Sequence, residues 1–112
     1  MKVLFFDDAE GSLAALAAQL DAGGGPTLCA ATPSAALGAA GTGTYDALVL
    51  APGLPPGDRR RVEGEARRRN PRIRIVLYYT GEPARDIFAS AVLEFTGSVD
   101  ALKAQLGEWS AD

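Results

Sequence analysis

Residues 45–58 have the sequence YDALVLAPGLPPGD, a short apolar run followed by a loop rich in proline and glycine. The run contains three consecutive large aliphatic residues at 48–50, which is typical of a strand buried on both faces of a parallel sheet. Ala51 closes the run, and Pro52-Gly53 then marks a turn. The segment therefore predicts a buried strand that ends at Ala51 and leads directly into a loop.

The rest of the chain alternates between strand-like and helix-like segments. Apolar and β-branched runs predict strands at residues 2–6, 27–31, 45–50, 73–79 and 92–95. Amphipathic or capped segments predict helices at residues 12–22, 33–40, 57–69 and 82–91, and a last helix that begins at Ser98. This (βα)5 order predicts one α/β domain over residues 1–112, built on a doubly wound, five-stranded parallel sheet.

The composition excludes several classes of site. The chain of 112 residues has no histidine and a single cysteine, Cys29, which excludes histidine-based catalysis, histidine-ligated metals and an internal disulfide. No apolar stretch approaches the roughly 20 residues that span a bilayer. We therefore expect a cytoplasmic protein in a reducing compartment, without a membrane partner.

Charge is unevenly distributed along the chain. Residues 58–74 contain eight arginines and three acidic residues, a net charge of +5, which leaves −8 for the remainder. The candidate basic patch consists of Arg59, Arg60, Arg67 and Arg68. Because Glu63 and Glu65 interrupt these arginines and no aromatic residue lies among them, the pattern favours a salt-bridged helix face. An acidic protein partner is the alternative, and nucleic-acid binding is not expected.

The carboxyl ends of the predicted strands indicate where a functional site would lie, since doubly wound sheets bind ligands in the crevice beyond those ends. The ends fall at Asp7-Asp8, Ala51-Pro52, Thr80-Gly81 and Thr96-Gly97. The acidic pair offers oxygen ligands of the kind that magnesium prefers. Ala51, by contrast, has a methyl group that can neither accept a phosphoryl group nor ligate a metal.

Four segments, in their order and spacing, resemble the receiver domain of bacterial two-component response regulators. VLFFDD at 3–8 resembles the family's first strand and acidic pair, and residues 45–58 resemble its third strand and the following loop. NPRIRIVLYYTG at 70–81 resembles its fourth strand, and SVDALKAQL at 98–106 resembles the start of its last helix. The resemblance covers nearly the whole chain and implies a flavodoxin-like receiver fold with strand order 2-1-3-4-5.

The resemblance also implies a phosphotransfer site made of an acidic pair for magnesium, an acceptor aspartate, a threonine or serine, and a lysine. Asp7 and Asp8 match the acidic pair. The acceptor position falls on Ala51, 43 residues after Asp8, and Leu54-Pro55 supports this register because the family has a similar apolar-proline pair.

The other two positions of that site are altered or missing. The threonine or serine position falls on Tyr79 without a gap, or on Thr80 if one residue is inserted. No lysine lies between Lys2 and Lys103, so the family's lysine is absent. Two carboxylates rarely suffice for a tight magnesium site, so no cofactor is expected and a weak magnesium site at the acidic pair is the alternative.

These losses predict a degenerate receiver, or pseudo-receiver, that is not an enzyme and acts by phosphorylation-independent protein–protein interaction in a signalling pathway. By family habit, the surface for a partner or a second copy is expected at Ile87, Phe88, Phe95, Leu102 and Trp109. Two alternatives stay open: a phosphorylatable receiver with a displaced acceptor, and a flavodoxin-like domain that binds a small ligand. Nucleotide cofactors are not expected, because the loop after the first strand is acidic and is not a glycine-rich phosphate loop.

Overall fold

The computed structural model describes residues 2–7, 13–22, 27–81, 89–96 and 98–110. The strands are β1 (Val3–Phe6), β2 (Thr27–Ala30), β3 (Ala47–Leu50), β4 (Arg74–Tyr79) and β5 (Ala91–Glu94). The helices within the described ranges are α1 (Ala14–Ala22), α2 (Pro33–Ala40), α3 (Pro56–Arg69) and α4 (Asp100–Ser110). None of these helices combines the length and apolar character needed to cross a bilayer.

The five strands form one parallel sheet in the order β2-β1-β3-β4-β5, which confirms the predicted topology. β1 and β3 are interior strands of this sheet, and no residue of either strand is more than 1% exposed. Both faces of these strands are therefore covered, which explains why their sequences are continuous apolar runs and not alternating ones. Phe6 pairs with Ala30 on one side and with Leu50 on the other, so three strands end level with one another.

Each helix packs an apolar stripe against the sheet. The buried helical residues include Leu16 and Ala17 in α1, Ala36 and Ala40 in α2, Val62 and Ala66 in α3, and Leu102 and Leu106 in α4. Thr32 caps α2 through its hydroxyl, which accepts a hydrogen bond from the backbone N–H of Ala35 at 3.1 Å.

Polar hydrogen bonds hold the amino ends of the central strands in register. The carboxylate of Asp46 accepts a hydrogen bond from the backbone N–H of Lys2 at 2.7 Å, and its backbone carbonyl accepts one from Arg74 at 3.0 Å. The side-chain amide of Asn70 donates to the backbone carbonyl of Tyr45 at 2.9 Å. Asp46 and Asn70 thus link β1, β3 and β4 at the amino ends of these strands.

The prediction of a helix over residues 82–91 was wrong at its carboxyl end. Residues 82–88 lie outside the described residues, but Ala91 is the first residue of β5. Ser90 exchanges two hydrogen bonds with the backbone of Ile75 in β4, with distances of 2.7 Å and 3.0 Å. These bonds draw the chain onto the sheet edge before Ala91 and exclude a helical conformation there.

Candidate functional site

Asp7 and Ala51 occupy adjacent positions at the carboxyl edge of the sheet. The backbone N–H of Ala51 donates to the carbonyl of Phe6, and that of Asp7 donates to the carbonyl of Ala30, both at 3.0 Å. These bonds continue the ladders of β1 with its two neighbours beyond the strands themselves. Asp7 and Ala51 are each only 1% exposed, so both are buried at paired positions of neighbouring strands.

The carboxylate of Asp7 caps the start of α1. Its Oδ2 accepts a hydrogen bond from the backbone N–H of Leu13, the residue that precedes the helix. A carboxylate at this place satisfies one of the free N–H groups of the first turn and interacts favourably with the helix dipole. Asp7 therefore has a structural role at the site, whereas Asp8, the other member of the predicted acidic pair, lies outside the described residues.

The loop after Ala51 brings a second carboxylate to the same place. Gly53 has φ +81°, the left-handed conformation that glycine adopts without strain, and Pro52-Gly53 fits the central positions of a type II turn. The turn directs Leu54 into the core, where it is 7% exposed, and α3 follows at once. Asp58 consequently lies in the first turn of α3, where its negative charge stabilises the helix amino terminus.

A cavity of about 220 Å³ lies at this edge of the sheet. Its described lining residues are Phe6, Asp7, Ala31, Pro33, Leu54, Pro55 and Asp58. The lining thus combines two carboxylates with an apolar wall, and it includes no basic side chain among the described residues. Carboxylate oxygens suit a divalent cation, but in the described part of the chain no three acidic, cysteine or histidine side chains come close enough together to hold one.

The carboxyl end of β4 carries two tyrosines in different environments. Tyr78 is 2% exposed, and its ring meets that of Phe95 edge to face with centroids 5.6 Å apart. Burial raises the pKa of Tyr78 to about 12, and its hydroxyl finds no hydrogen-bond partner in the described structure. Tyr79 is half-buried at the last position of the strand, and Thr80 is exposed just beyond it. The buried phenol of Tyr78 was not foreseen as a distinctive feature of the site.

Cys29 lies in β2, opposite Phe5 of β1. Burial, and to a smaller extent the negative charge of Asp7, raises the pKa of the Cys29 thiol. A raised pKa keeps the thiol protonated at neutral pH, which disfavours both metal ligation and nucleophilic reactivity.

The residues predicted for a partner surface do not share one environment. Leu102 is completely buried, so its placement on a surface was wrong: it belongs with Leu106 to the inward stripe of α4. Phe95 and Trp109 are half-buried, and the guanidinium of Arg74 lies over the Trp109 ring, 5.7 Å from its centroid. Ile87 and Phe88 lie outside the described residues.

The predicted basic patch is partly neutralised by acidic residues of the same helix. Arg59 Nε lies 3.7 Å from the carboxylate of Glu63, which is 3% exposed. Glu65 accepts hydrogen bonds from Arg68 at 2.9 Å and 3.0 Å and from Arg69 at 3.0 Å, and these bonds lower the pKa of Glu65. Arg60 is exposed and Arg67 is half-buried.

Solved structures of bacterial signalling proteins have the same architecture. The chemotaxis protein CheY4 of Vibrio cholerae superposes with a TM-score of 0.79 and 19% identity over 96% of both chains. A response regulator of Desulfuromonas acetoxidans gives a TM-score of 0.80 and 12% identity over 98% of this chain and 96% of the other. The chain has the receiver fold. It shares the topology of response regulator receiver domains over almost its entire length.

A third solved structure has the same fold and contains a bound magnesium complex. The response regulator TrrA of Thermotoga maritima, solved in complex with Mg²⁺-BeF, superposes with a TM-score of 0.75 and 23% identity over 96% of both chains. No protein-family model matches the present chain, and no curated protein matches it. The similarity is thus one of fold at low sequence identity.

Proposed function

We propose that this chain is a degenerate receiver, a signalling module that binds protein partners without being phosphorylated at the end of β3. The observation that carries the proposal is the buried methyl group of Ala51 beside Asp7, at the position where the receiver resemblance expects the acceptor aspartate. A methyl group cannot attack a phosphoryl donor. The chain would therefore keep the receiver fold without phosphoryl transfer at the end of β3.

The cavity lined by Asp7 and Asp58 supports the same conclusion. Phosphoryl transfer depends on a positioned nucleophile and on cations that stabilise the charge of the transferred group. The described lining of the cavity includes two carboxylates and no basic side chain, so it would repel a phosphoryl group that no magnesium ion neutralises. One of those carboxylates, that of Asp7, is already hydrogen-bonded to the start of α1.

A solved complex of a receiver-fold protein with another protein supports the proposal of a protein partner. TrrA has also been solved in complex with the histidine kinase ThkA, in a structure that superposes on this chain with a TM-score of 0.77 and 22% identity. We propose that the chain acts in two-component signalling in a bacterial cytoplasm, with a protein as its partner. Of the predicted partner surface, Phe95 and Trp109 are the described residues that keep some exposure.

The test is incubation of the protein with acetyl phosphate and magnesium, followed by intact-mass measurement. We expect no gain in mass from the unmodified chain. A gain of one acid-labile phosphoryl group per chain would overturn the proposal.

A second candidate function is phosphorylation at a displaced acceptor, and one observation favours it. Asp58 lines the same cavity as Asp7, so a carboxylate other than the expected one is available there. If the unmodified chain does gain a phosphoryl group and Asp58→Asn does not, this candidate replaces the first. The alternative of a small-ligand domain is less well supported, because a cavity of about 220 Å³ is smaller than the roughly 300–1,000 Å³ typical of ligand pockets.

A further inference from the structure

The exposed side of α3 carries a glycine surrounded by arginines. Arg60, Arg61, Arg67 and Arg68 stand three or four positions from Gly64, so all four are its neighbours on the helix surface. Gly64 is exposed, and apart from its chain neighbours and the nearby backbone of the same helix, a Cβ added to it would meet no atom within 4 Å. The helix therefore presents an open socket with cationic side chains around it.

A cavity of about 240 Å³ opens at this socket. Its described lining residues are Arg60, Glu63, Gly64 and Arg67. The carboxylate of Glu63 is buried at the side of the cavity, and one of its oxygens lies 3.7 Å from Arg59 Nε. The stems of the two lining arginines are aliphatic, which makes the wall apolar below a cationic rim.

Nothing in the described structure requires a glycine at position 64. Its φ is not positive, and no backbone or side chain approaches it closely. Glycine is nevertheless among the least favourable residues in a helix interior. The structural effect of Gly64 is thus to keep the surface between Arg60 and Arg67 free of a side chain.

The socket keeps a net positive charge after internal pairing. Glu65 is hydrogen-bonded to Arg68 and Arg69 on one side of the helix. Arg60 and Arg61 are exposed and have no acidic partner among the residues that the structure describes. The rest of the chain outside residues 58–74 carries −8, so this socket is a local cationic site on an acidic protein.

We propose that this socket, with Gly64 at its floor and Arg60, Arg61 and Arg67 around it, docks an acidic segment of a partner protein. The inference rests on the proposed function in that both make the chain a protein-binding module, and it adds the place and the chemistry of the partner. An apolar side chain of the segment occupies the cavity over Gly64, and flanking carboxylates pair with Arg60 and Arg61.

A protein segment fits the socket better than a nucleic acid does. The cationic surface is confined to one helix, and the acidic remainder of the chain repels an extended polyanion. No aromatic residue lies on α3 to stack with bases. A short acidic segment needs only the local charge.

The test measures binding of a fluorescein-labelled peptide of alternating glutamate and leucine by fluorescence anisotropy. A lysine-leucine peptide and a labelled single-stranded DNA serve as competing probes. We expect the acidic peptide to bind, and Arg60→Glu to weaken its affinity by about tenfold or more. Arg72→Glu is the matched control, because Arg72 is exposed and follows the helix; it should change the affinity less than about threefold if the socket itself is the site.

Substitutions of Gly64 separate binding from folding. Gly64→Leu fills the socket with a residue that favours helix, so it should raise the melting temperature while weakening peptide binding by about tenfold. Gly64→Ala should raise the melting temperature and leave most of the binding intact.

Three results would overturn the inference: absence of acidic-peptide binding, equal weakening by Arg60→Glu and Arg72→Glu, or preferential binding of the DNA. These outcomes are independent of the acetyl phosphate experiment. A chain that becomes phosphorylated and still binds the acidic peptide through the socket would refute the proposed function and uphold this inference.

Discussion

Substitution of Tyr78 by phenylalanine should make the protein more stable. The Tyr78 hydroxyl is buried and has no hydrogen-bond partner in the described structure, whereas in the unfolded chain it is hydrated by water. Burying a hydroxyl without a partner costs about 1–3 kcal/mol. Phenylalanine removes that cost and keeps the ring that contacts Phe95.

The opposing contribution is small. Removing one oxygen leaves a void, and at roughly 24 cal/mol per Å³ a void of that size costs only a few tenths of a kcal/mol. We therefore expect Tyr78→Phe to raise the free energy of unfolding by about 1–2 kcal/mol at neutral pH. At this chain length the gain corresponds to roughly 3–6 °C in melting temperature per kcal/mol.

The gain should increase at alkaline pH. The pKa of Tyr78 is about 12 in the folded protein and is near 10 when the tyrosine is unfolded, so above pH 10 the unfolded chain binds fewer protons than the folded one. Ionisation of Tyr78 therefore does not affect the parent's stability below pH 10, and it lowers that stability progressively as the pH rises from 10 towards 12. Between pH values of about 8 and about 11, the difference between variant and parent should grow by about 1.4 kcal/mol.

Urea denaturation at several pH values measures both effects, provided that the slope of the unfolding free energy with urea concentration is the same for both proteins. Tyr79→Phe is the matched control, since Tyr79 is half-buried on the same strand, and it should change stability by less than about 0.5 kcal/mol. If Tyr78→Phe is less stable than the parent at neutral pH, the hydroxyl has a partner and the reasoning is refuted.

Three further substitutions test the fold. Asp46→Ala removes the carboxylate that accepts from the Lys2 backbone, and it should lower the free energy of unfolding by about 0.5–1.5 kcal/mol in a urea titration, with Asp46→Asn losing less. Gly53→Ala places a side chain at φ +81° and should cost about 1 kcal/mol by the same measurement; an unchanged midpoint would argue against the left-handed turn. Glu65→Gln removes the negative charge that Arg68 and Arg69 stabilise through hydrogen bonds, so the variant should be slightly less stable than the parent at neutral pH. Because the folded-state pKa of Glu65 is lowered, that difference should disappear as the pH falls below the ordinary range of glutamate, and thermal melts at both pH values would check it.

Most of the fold could be predicted from local patterns in the sequence. Continuous apolar runs mark β1 and β3 because these strands are covered on both faces, and Thr32-Pro33 marks the start of α2 through an ordinary cap. The end of the predicted helix at 82–91 could not be placed, because two hydrogen bonds between Ser90 and β4 decide it. Contacts of that kind are invisible in local periodicity.

The site was harder to predict than the fold, since its contacts join residues far apart in the chain. The cap from Asp7 to Leu13 and the approach of Asp58 to the same cavity depend on how the loops after β1 and β3 run. Leu102 was misplaced for a different reason. Its spacing from Leu106 already indicated the inward stripe of α4, and the surface assignment followed the habit of a family instead of that periodicity.

The hydrogen bonds of Asp46 and Asn70 have a consequence for how this protein could change over generations. They anchor the sheet at the end remote from Ala51, and the core between the two ends is continuous and apolar. Substitutions at the carboxyl edge therefore leave the anchoring residues untouched. A lineage could exchange an acidic side chain for a methyl group there and retain a folded module. The other surfaces of that module could then adapt to new partners.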